Sequence, residues 1–291
     1  MGLFELLRGK EKEILDSING ITLSNEDIAK FGDVVHDYSL PHRDKSEAKK
    51  YGFDDTPVIG VHSAAIGGRF SRDLMAAMQR PDTPYFYTGQ KVTFRDPIYP
   101  NEPINWNPPK IDFDEENGIM VLDLVIPHSS QGKKPRVEMT SEFRTKRPEF
   151  EQLNPENLVY SEEIELTSKE LNNYYECLRE EPLKEVPFSL GIGRNPSVLL
   201  KMASKLNEVQ GTAIGGRNIE MTSQAYDDLK LGKARVDVYF VEKKGGGSRA
   251  FYTFDCALYQ DDEPTISSRV KTMTNGDFDL DHLRVREIAA A

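Results

Sequence analysis

The sequence is poor in the residues that build metal centres and disulfide frameworks. Its 291 residues include two cysteines, Cys177 and Cys256, and five histidines. The cysteines lie far apart, and no cysteines and histidines have the spacing of a zinc site. We therefore expect no bound metal and no disulfide. Two unpaired cysteines are typical of a protein in a reducing, intracellular compartment.

Long apolar runs and an excess of positive charge are also missing. No stretch approaches the ~18 apolar residues that a membrane-spanning helix needs. The first residues lack the basic segment and apolar run of a signal peptide, so we expect a cytoplasmic location. With 37 basic against 48 acidic residues, the formal charge is −11. This charge argues against nucleic acid as the main partner, since phosphate binding needs a dense basic face.

Helix signals and then strand signals follow one another along the first half. Ser24, with Asp27 three residues later, predicts a capped helix to Val35, and Asp44 begins a shorter helix to Tyr51. Pro57 precedes a longer predicted helix, 58–78, whose alanines and glycines suit close packing against a sheet. Strands are predicted at 91–94, 110–113, 119–126 and 136–146, and Asn117-Gly118 marks a hairpin turn.

The second half repeats this order. A strand at 160–166 and a helix capped by Thr167 precede an apolar segment at 187–206 and strands at 233–242, 249–260 and 265–273. Residues 149–158, with prolines at their edge and within, are interpreted as a linker between domains 1–148 and 159–291. Each half thus has helices first and an antiparallel meander afterwards, which indicates an α+β protein with an internal duplication.

The segment Asp37–His42 is the strongest candidate for chemistry. It places a carboxylate and an imidazole five residues apart, between a predicted helix and the apolar segment that follows Pro57. A carboxylate and a neutral imidazole that hold one water can both remove and deliver a proton. Backbone N–H groups at the start of the next helix can stabilise negative charge on a carbonyl oxygen. The alternative is a surface histidine that follows a helix end.

The spacing of Asp37, His42, Ala48 and Phe53, with Pro57 before the next helix, resembles a known signature. It is similar to that of the MaoC-like or (R)-specific enoyl-CoA hydratase family, Gly-Asp-x-Asn-Pro-x-His followed after five residues by Ala or Ser. The resemblance implies two tandem hotdog folds, each an antiparallel sheet wrapped round a central helix, that form a pseudo-dimer. It also implies reversible hydration of trans-2-enoyl thioesters of CoA or acyl carrier protein, without a cofactor.

The resemblance also implies roles for individual residues. Asp37 and His42 become the catalytic pair, and the backbone of Gly60 and Val61 becomes the oxyanion hole. Substrate contacts are expected from Ser39, Phe53, His62 and Ser63, with a packed or solvated position as the alternative for His62. The second half has no Asp-x-x-x-x-His element, so we expect one active site per chain, with Pro187–Gly191 lining the acyl tunnel.

The sequence departs from the family pattern at four places. His36 replaces the glycine before the aspartate, and Ser39 replaces the asparagine. Leu40-Pro41 reverses the usual order of proline and aliphatic residue, and Gly60-Val61 stands where His-Gly begins the central helix. Because Ser39 is shorter and Val61 bulkier than the residues of the pattern, we expect them to affect the positioning of the catalytic pair or of the substrate.

Other functions fit the same residues. A hotdog thioesterase and a non-catalytic acyl-thioester-binding subunit are the two alternatives, because a fold does not determine a function. Arg194, Lys201, Lys205 and Arg217 are candidates for CoA phosphates, with a surface role as the alternative. The acidic residues at 277–281 indicate a solvated tail, and the glycines at 211–216 lack the setting of a nucleotide loop. Exposed strand edges predict a homodimer of double hotdogs.

Overall fold

A computed structural model describes residues 10–78, 84–130, 132–183, 185–210, 219–246 and 249–274. The helices are α1 (Lys10–Ile18), α2 (Asn25–Val35), α3 (Lys45–Lys50), α4 (Gly60–Met78), α5 (Ser168–Cys177) and α6 (Phe188–Gln210). The strands are β1 (Phe86–Phe94), β2 (Lys110–Asp114), β3 (Ile119–Ile126), β4 (Val137–Arg144), β5 (Leu158–Leu166), β6 (Ile219–Ala225), β7 (Gly232–Gly246), β8 (Arg249–Gln260) and β9 (Glu263–Thr274). Two short 3-10 turns are Leu40–His42 and Pro155–Asn157.

In the described part of the chain, the strands form one antiparallel sheet of nine strands, in the order β2-β3-β4-β1-β6-β9-β8-β7-β5. Pairing of β1 with β6 joins the two halves. Counted outward from this seam, the first half runs β1, β4, β3, β2 and the second half β6, β9, β8, β7, so both halves have the same strand order. Strand β5 extends the second half at its edge. The predicted duplication and α+β class are confirmed.

One long helix packs against each half of the sheet. Helix α4 contacts β1 and β4, α6 contacts β7, β8 and β9, and the two helices touch each other. Small residues permit this closeness, because a Cβ on Gly67 would lie 2.7 Å from Met139 Cε. Similarly, a Cβ on Gly193 of α6 would lie 2.7 Å from Val35 Cγ1 of α2. The halves therefore share one helical layer as well as one sheet.

Helix α5 follows β5 along the chain but packs against the first half. Its Leu171, Tyr174 and Tyr175 belong to the same buried cluster as Phe31 and Phe70. Helix α5 also contacts α2 directly. The domain boundaries at 148 and 159 stay a prediction, and helix packing crosses them.

Several local predictions are confirmed and several boundaries differ. Both predicted capping boxes form, at Ser24 with Asp27 and at Thr167 with Glu170. The helix after Pro57 begins at Gly60 rather than at residue 58, and the Val58 N–H donates to Ile98 O at 2.7 Å. Strand β1 begins five residues earlier than predicted.

Strand β6 was not predicted at all, and its sequence, IEMTSQA, is rich in polar residues. The glycines at 211–216 and the acidic residues at 277–281 lie outside the described residues. None of the described helices combines the length and apolar character needed to cross a bilayer.

Candidate active site

A cavity of about 540 Å³ lies between the Asp37–His42 segment, the start of α4 and the middle of α6. Its wall is mostly apolar and includes residues of both halves, such as Gly60 and Gly193. The sequence-predicted pair, Asp37 and His42, lines this one cavity. A mostly apolar cavity with a few polar groups on its wall is the usual form of a small-molecule site.

Asp37 is held immediately after the end of α2. The preceding residue, His36, turns the chain with a left-handed φ of 61°, and the Asp37 N–H donates to Gly32 O at 2.8 Å. Asp37 Oδ1 accepts from the backbone N–H of Ser39 at 3.0 Å and from its hydroxyl at 2.5 Å. Within the described chain Oδ2 has no hydrogen-bond partner, so one carboxylate oxygen is available to a ligand.

His42 is oriented by a single backbone contact. Its Nδ1 lies 2.7 Å from Pro57 O, and a carbonyl oxygen can only accept a hydrogen bond. The contact therefore assigns the ring proton to Nδ1, and Nε2 of the neutral ring keeps its lone pair. Arg43 Nη2 secures the same turn by donating to Asp33 Oδ1 of α2 at 2.7 Å.

The start of α4 supplies backbone donors at the cavity wall. The His62 N–H donates to Ile59 O at 2.9 Å, whereas the N–H groups of Gly60 and Val61 have no acceptor among the described residues. Both residues line the cavity. First-turn N–H groups carry the positive end of the helix dipole and suit a developing anion.

The other predicted substrate contacts divide into two groups. Ser39, Phe53 and Ser63 line the cavity, although Ser63 Oγ already donates to Gly60 O at 2.7 Å. His62 does not line it, because its side chain turns into the core and stacks on Phe31 at 3.9 Å between ring centroids. Burial lowers the pKa of His62 to about 4. His62 therefore packs in the core as a neutral ring, and the substrate contact predicted for it does not form part of the cavity wall.

The predicted role of Pro187–Gly191 is also corrected. Leu190 is buried in the cluster of the first half, and Ser189 Oγ accepts from Tyr174 OH at 2.6 Å. The part of α6 that lines the cavity begins at Gly193 instead. The first turn of α6 is used for packing between the halves.

The sequence interpretation missed His36 and Glu170 at this site, and it named Arg194 only as a candidate for CoA phosphates or as a surface residue. His36 lines the cavity, and its Nε2 lies 2.9 Å from Glu170 Oε1 of α5. Arg194 of α6, also on the wall, donates to the same oxygen at 2.5 Å and is 1% exposed rather than on the surface. Burial would raise the pKa of Glu170, but the Thr167 N–H and Arg194 hold it below its ordinary value. Burial and the charge of Arg194 lower the pKa of His36.

The second half has a counterpart of Asp37. Helix α5 is followed by a left-handed residue, Arg179, with φ 59°, and the next residue, Glu180, donates its N–H to Tyr175 O at 3.0 Å. The same pattern of backbone bonds precedes Asp37. The Glu180 carboxylate, however, is paired with Arg72 and lies 3.1 Å from Arg69 Nε, both on α4. An ion pair therefore occupies the position that corresponds to Asp37.

Comparisons with solved structures support this architecture. A MaoC domain protein dehydratase from Chloroflexus aurantiacus J-10-fl is 9% identical, with a TM-score of 0.63 and coverage of 88% of this chain and 93% of that chain. A double-hotdog protein from Mycobacterium tuberculosis is 9% identical, with a TM-score of 0.60 and coverage of 87% and 93%. A MaoC-like dehydratase from Phytophthora capsici is 12% identical, with a TM-score of 0.57 and coverage of 91% and 99%.

At these identities the structural likeness shows the fold alone. No curated protein sequence matches the chain. A family model described as "MaoC like domain" matches residues 9–110, a range that contains Asp37, His42, Gly60 and Val61. The resemblance found in the motif is confirmed for this part of the chain, which is similar to the MaoC-like domain family, and the fold is that of a double hotdog.

Proposed function

We propose that the protein catalyses the reversible hydration of trans-2-enoyl thioesters, which is the dehydration of 3-hydroxyacyl thioesters in the reverse direction. One observation carries the proposal. Asp37 and His42 line the same cavity, each with one polar atom left available, beside two helix N–H groups that have no acceptor in the described chain. The MaoC-like match supports the same class of reaction.

Each of these groups has a task in the reaction. Asp37 Oδ2 and His42 Nε2 hold a water between them and remove a proton from it while its oxygen bonds to the β-carbon. The proton is then delivered to the α-carbon, which completes the addition. Negative charge that develops on the thioester oxygen is stabilised by the N–H groups of Gly60 and Val61.

The cavity supports an acyl thioester as the substrate class. Its largely apolar wall suits a hydrocarbon chain, and α6 of the second half contributes Val198 and Leu199 to it. We include CoA and acyl carrier protein as the carriers of the thioester.

Strands β2 and β5 are the edges of the described sheet, which supports pairing of two chains. Light scattering of the purified protein would measure its mass in solution and so test for a dimer.

The function is tested by adding crotonyl-CoA and longer enoyl-CoAs to the purified protein. Hydration is measured as the decrease in the absorbance of the enoyl thioester. We expect hydration by the wild type, a loss of at least about 100-fold in kcat for His42→Ala, and no loss for His128→Ala, which lies outside the cavity wall. Undiminished activity of His42→Ala would overturn the mechanism. Release of free thiol would instead indicate a thioesterase, and binding without turnover a non-catalytic subunit.

A further inference from the structure

The residue before Asp37 adopts a backbone conformation that favours glycine. His36 has a φ of 61°, in the left-handed region where a Cβ is crowded by the following carbonyl. The family signature has glycine at this position. His36 therefore holds a backbone conformation that glycine would adopt more readily.

Glu170 of the second half contacts His36. His36 Nε2 lies 2.9 Å from Glu170 Oε1. The carboxylate is itself fixed, because Arg194 Nη2 donates to Oε1 at 2.5 Å and the Thr167 N–H donates to Oε2 at 2.9 Å. Because both of its oxygens are bound, the Glu170 carboxylate is held in place for its contact with His36. We call the His36–Glu170 contact the His36 clasp.

The same contact recurs on the other side of the molecule. Arg179, the left-handed residue after α5, places Nη2 3.2 Å from Asp27 Oδ2, and Asp27 is the capping-box acid of α2. Each left-handed residue thus reaches the capping acid of a helix from the opposite half. The Arg179–Asp27 contact, called the Arg179 clasp, lies outside the cavity wall and leads to Glu180 rather than to Asp37.

We propose that the His36 clasp positions Asp37 for the reaction, so that the second half supports catalysis through Glu170 and Arg194. The proposal rests on the proposed hydration function. His36 acts as a positioning residue, because its contact with Glu170 ties the turn to the second half and so fixes the point from which the next side chain, Asp37, enters the cavity. Displacing a reacting group by about 1 Å lowers a rate by up to about 100-fold.

Matched glycine variants test the proposal. His36→Gly removes the clasp while it favours the left-handed turn, and Arg179→Gly makes the same change away from the cavity. We expect kcat to fall about tenfold or more in His36→Gly, with KM within about threefold of the wild type, and to stay unchanged in Arg179→Gly. Full kcat in His36→Gly, or an effect confined to KM, would overturn the positioning role.

A double variant tests whether the two residues act as one link. Glu170→Ala is expected to lower kcat as much as His36→Gly does, and the combined variant to lower it no further. Thr167→Ala is the control for the cap of α5, because it removes the hydroxyl bonds of the capping box and leaves Glu170 Oε1 in place. Losses that multiply in the double variant contradict a single link.

Hydrogen exchange without substrate separates this proposal from the proposed function. We expect faster exchange of the amides at 37–43 in Glu170→Ala, where His36 itself is retained, and no change there in Arg179→Gly. Unchanged exchange in Glu170→Ala overturns the clasp whatever the activity. If the wild type hydrates no enoyl thioester but exchange rises as expected, the proposed function fails while the clasp is retained as the device that orders this segment.

Discussion

Asp37 and Glu180 occupy corresponding positions in the two halves, and their surroundings are opposite in character. Asp37 accepts two hydrogen bonds from Ser39 through one oxygen and leaves the other available at a cavity. Glu180 is paired with Arg72 and lies beside Arg69. Counted from the first residues of α4 and α6, these arginines correspond to Ser197 and Leu200, which line the cavity on the Asp37 side.

The opposing central helix determines the surroundings of each carboxylate. Both acids follow a capped helix and a left-handed residue. Where the opposing helix offers a hydroxyl and an aliphatic side chain, a cavity forms and the acid is available for chemistry. Where the opposing helix offers two guanidinium groups, they form ion pairs with the acid and fill the space beside it.

The largest expected difference between the halves is in turnover. Asp37→Asn should lower kcat about 1000-fold, because it removes a group that takes part in proton transfer. Glu180→Gln should leave kcat within about threefold of the wild type among molecules that remain folded. Steady-state hydration of crotonyl-CoA measures both, and equal losses in the two variants would contradict the assignment of a single active half.

Stability should show the reverse order. Glu180→Gln is expected to lower the free energy of unfolding by about 3 kcal/mol, because Arg69 and Arg72 lose their buried counter-ion. Asp73, which lies 2.8 Å from Arg72, moderates the loss. Asp37→Asn should cost less than about 1 kcal/mol, since Asp37 has no ion pair in the described chain. Urea unfolding of both variants measures this, and a larger loss in Asp37→Asn would refute it.

Acid should reveal a further asymmetry between the central helices. His62 in α4 has its pKa lowered from 6.5 to about 4 by burial, so the unfolded chain binds its proton first as the pH falls below 6.5. Folding stability contributed by this residue is therefore lost between pH 6.5 and 4. His62→Leu copies Leu190, the corresponding residue of α6.

We expect the variant to lose about 2 kcal/mol less than the wild type between pH 7.5 and 5. Urea unfolding at the two pH values measures the difference. Parallel pH dependence of the two proteins would show that His62 titrates normally.

The smallest of these effects concerns Ser39. Ser39→Ala removes the 2.5 Å hydrogen bond from the hydroxyl to Asp37 Oδ1. Because a hydrogen bond to a charged group contributes about 1.5 kcal/mol, we expect kcat to fall about tenfold. Ser161→Ala is the control, because that hydroxyl donates to Asp237 of the second half. Equal kcat in Ser39→Ala and the wild type would show that the backbone N–H alone orients Asp37.

Local signals in the sequence predicted much of this structure. Both capping boxes depend on residues three apart, and their side chains point to each other for purely helical reasons. The spacing of Asp37 and His42 likewise led to the cavity. Strand β6 was not predicted because its many polar residues do not indicate a strand by themselves. Its strand structure depends on pairing with β1 and β9.

Contacts between the halves could not be read from the chain. His36 and Glu170 are 134 positions apart, and neither residue type indicates the other at that distance. His62 looked like a site residue from its place at a helix start, yet Phe31 of α2 and Cys177 of α5 surround it instead. Tertiary packing, which no short pattern encodes, decided both.

The two related halves belong to one polypeptide chain, and β1 pairs with β6 between them. In a symmetric dimer of identical chains, every substitution appears at both related positions at once. Here each position mutates alone, so the two arginines that fill the space beside Glu180 have no copy beside Asp37. Covalent continuity thus removes the constraint of symmetry, and it lets one half gain ion pairs that would abolish the site in the other.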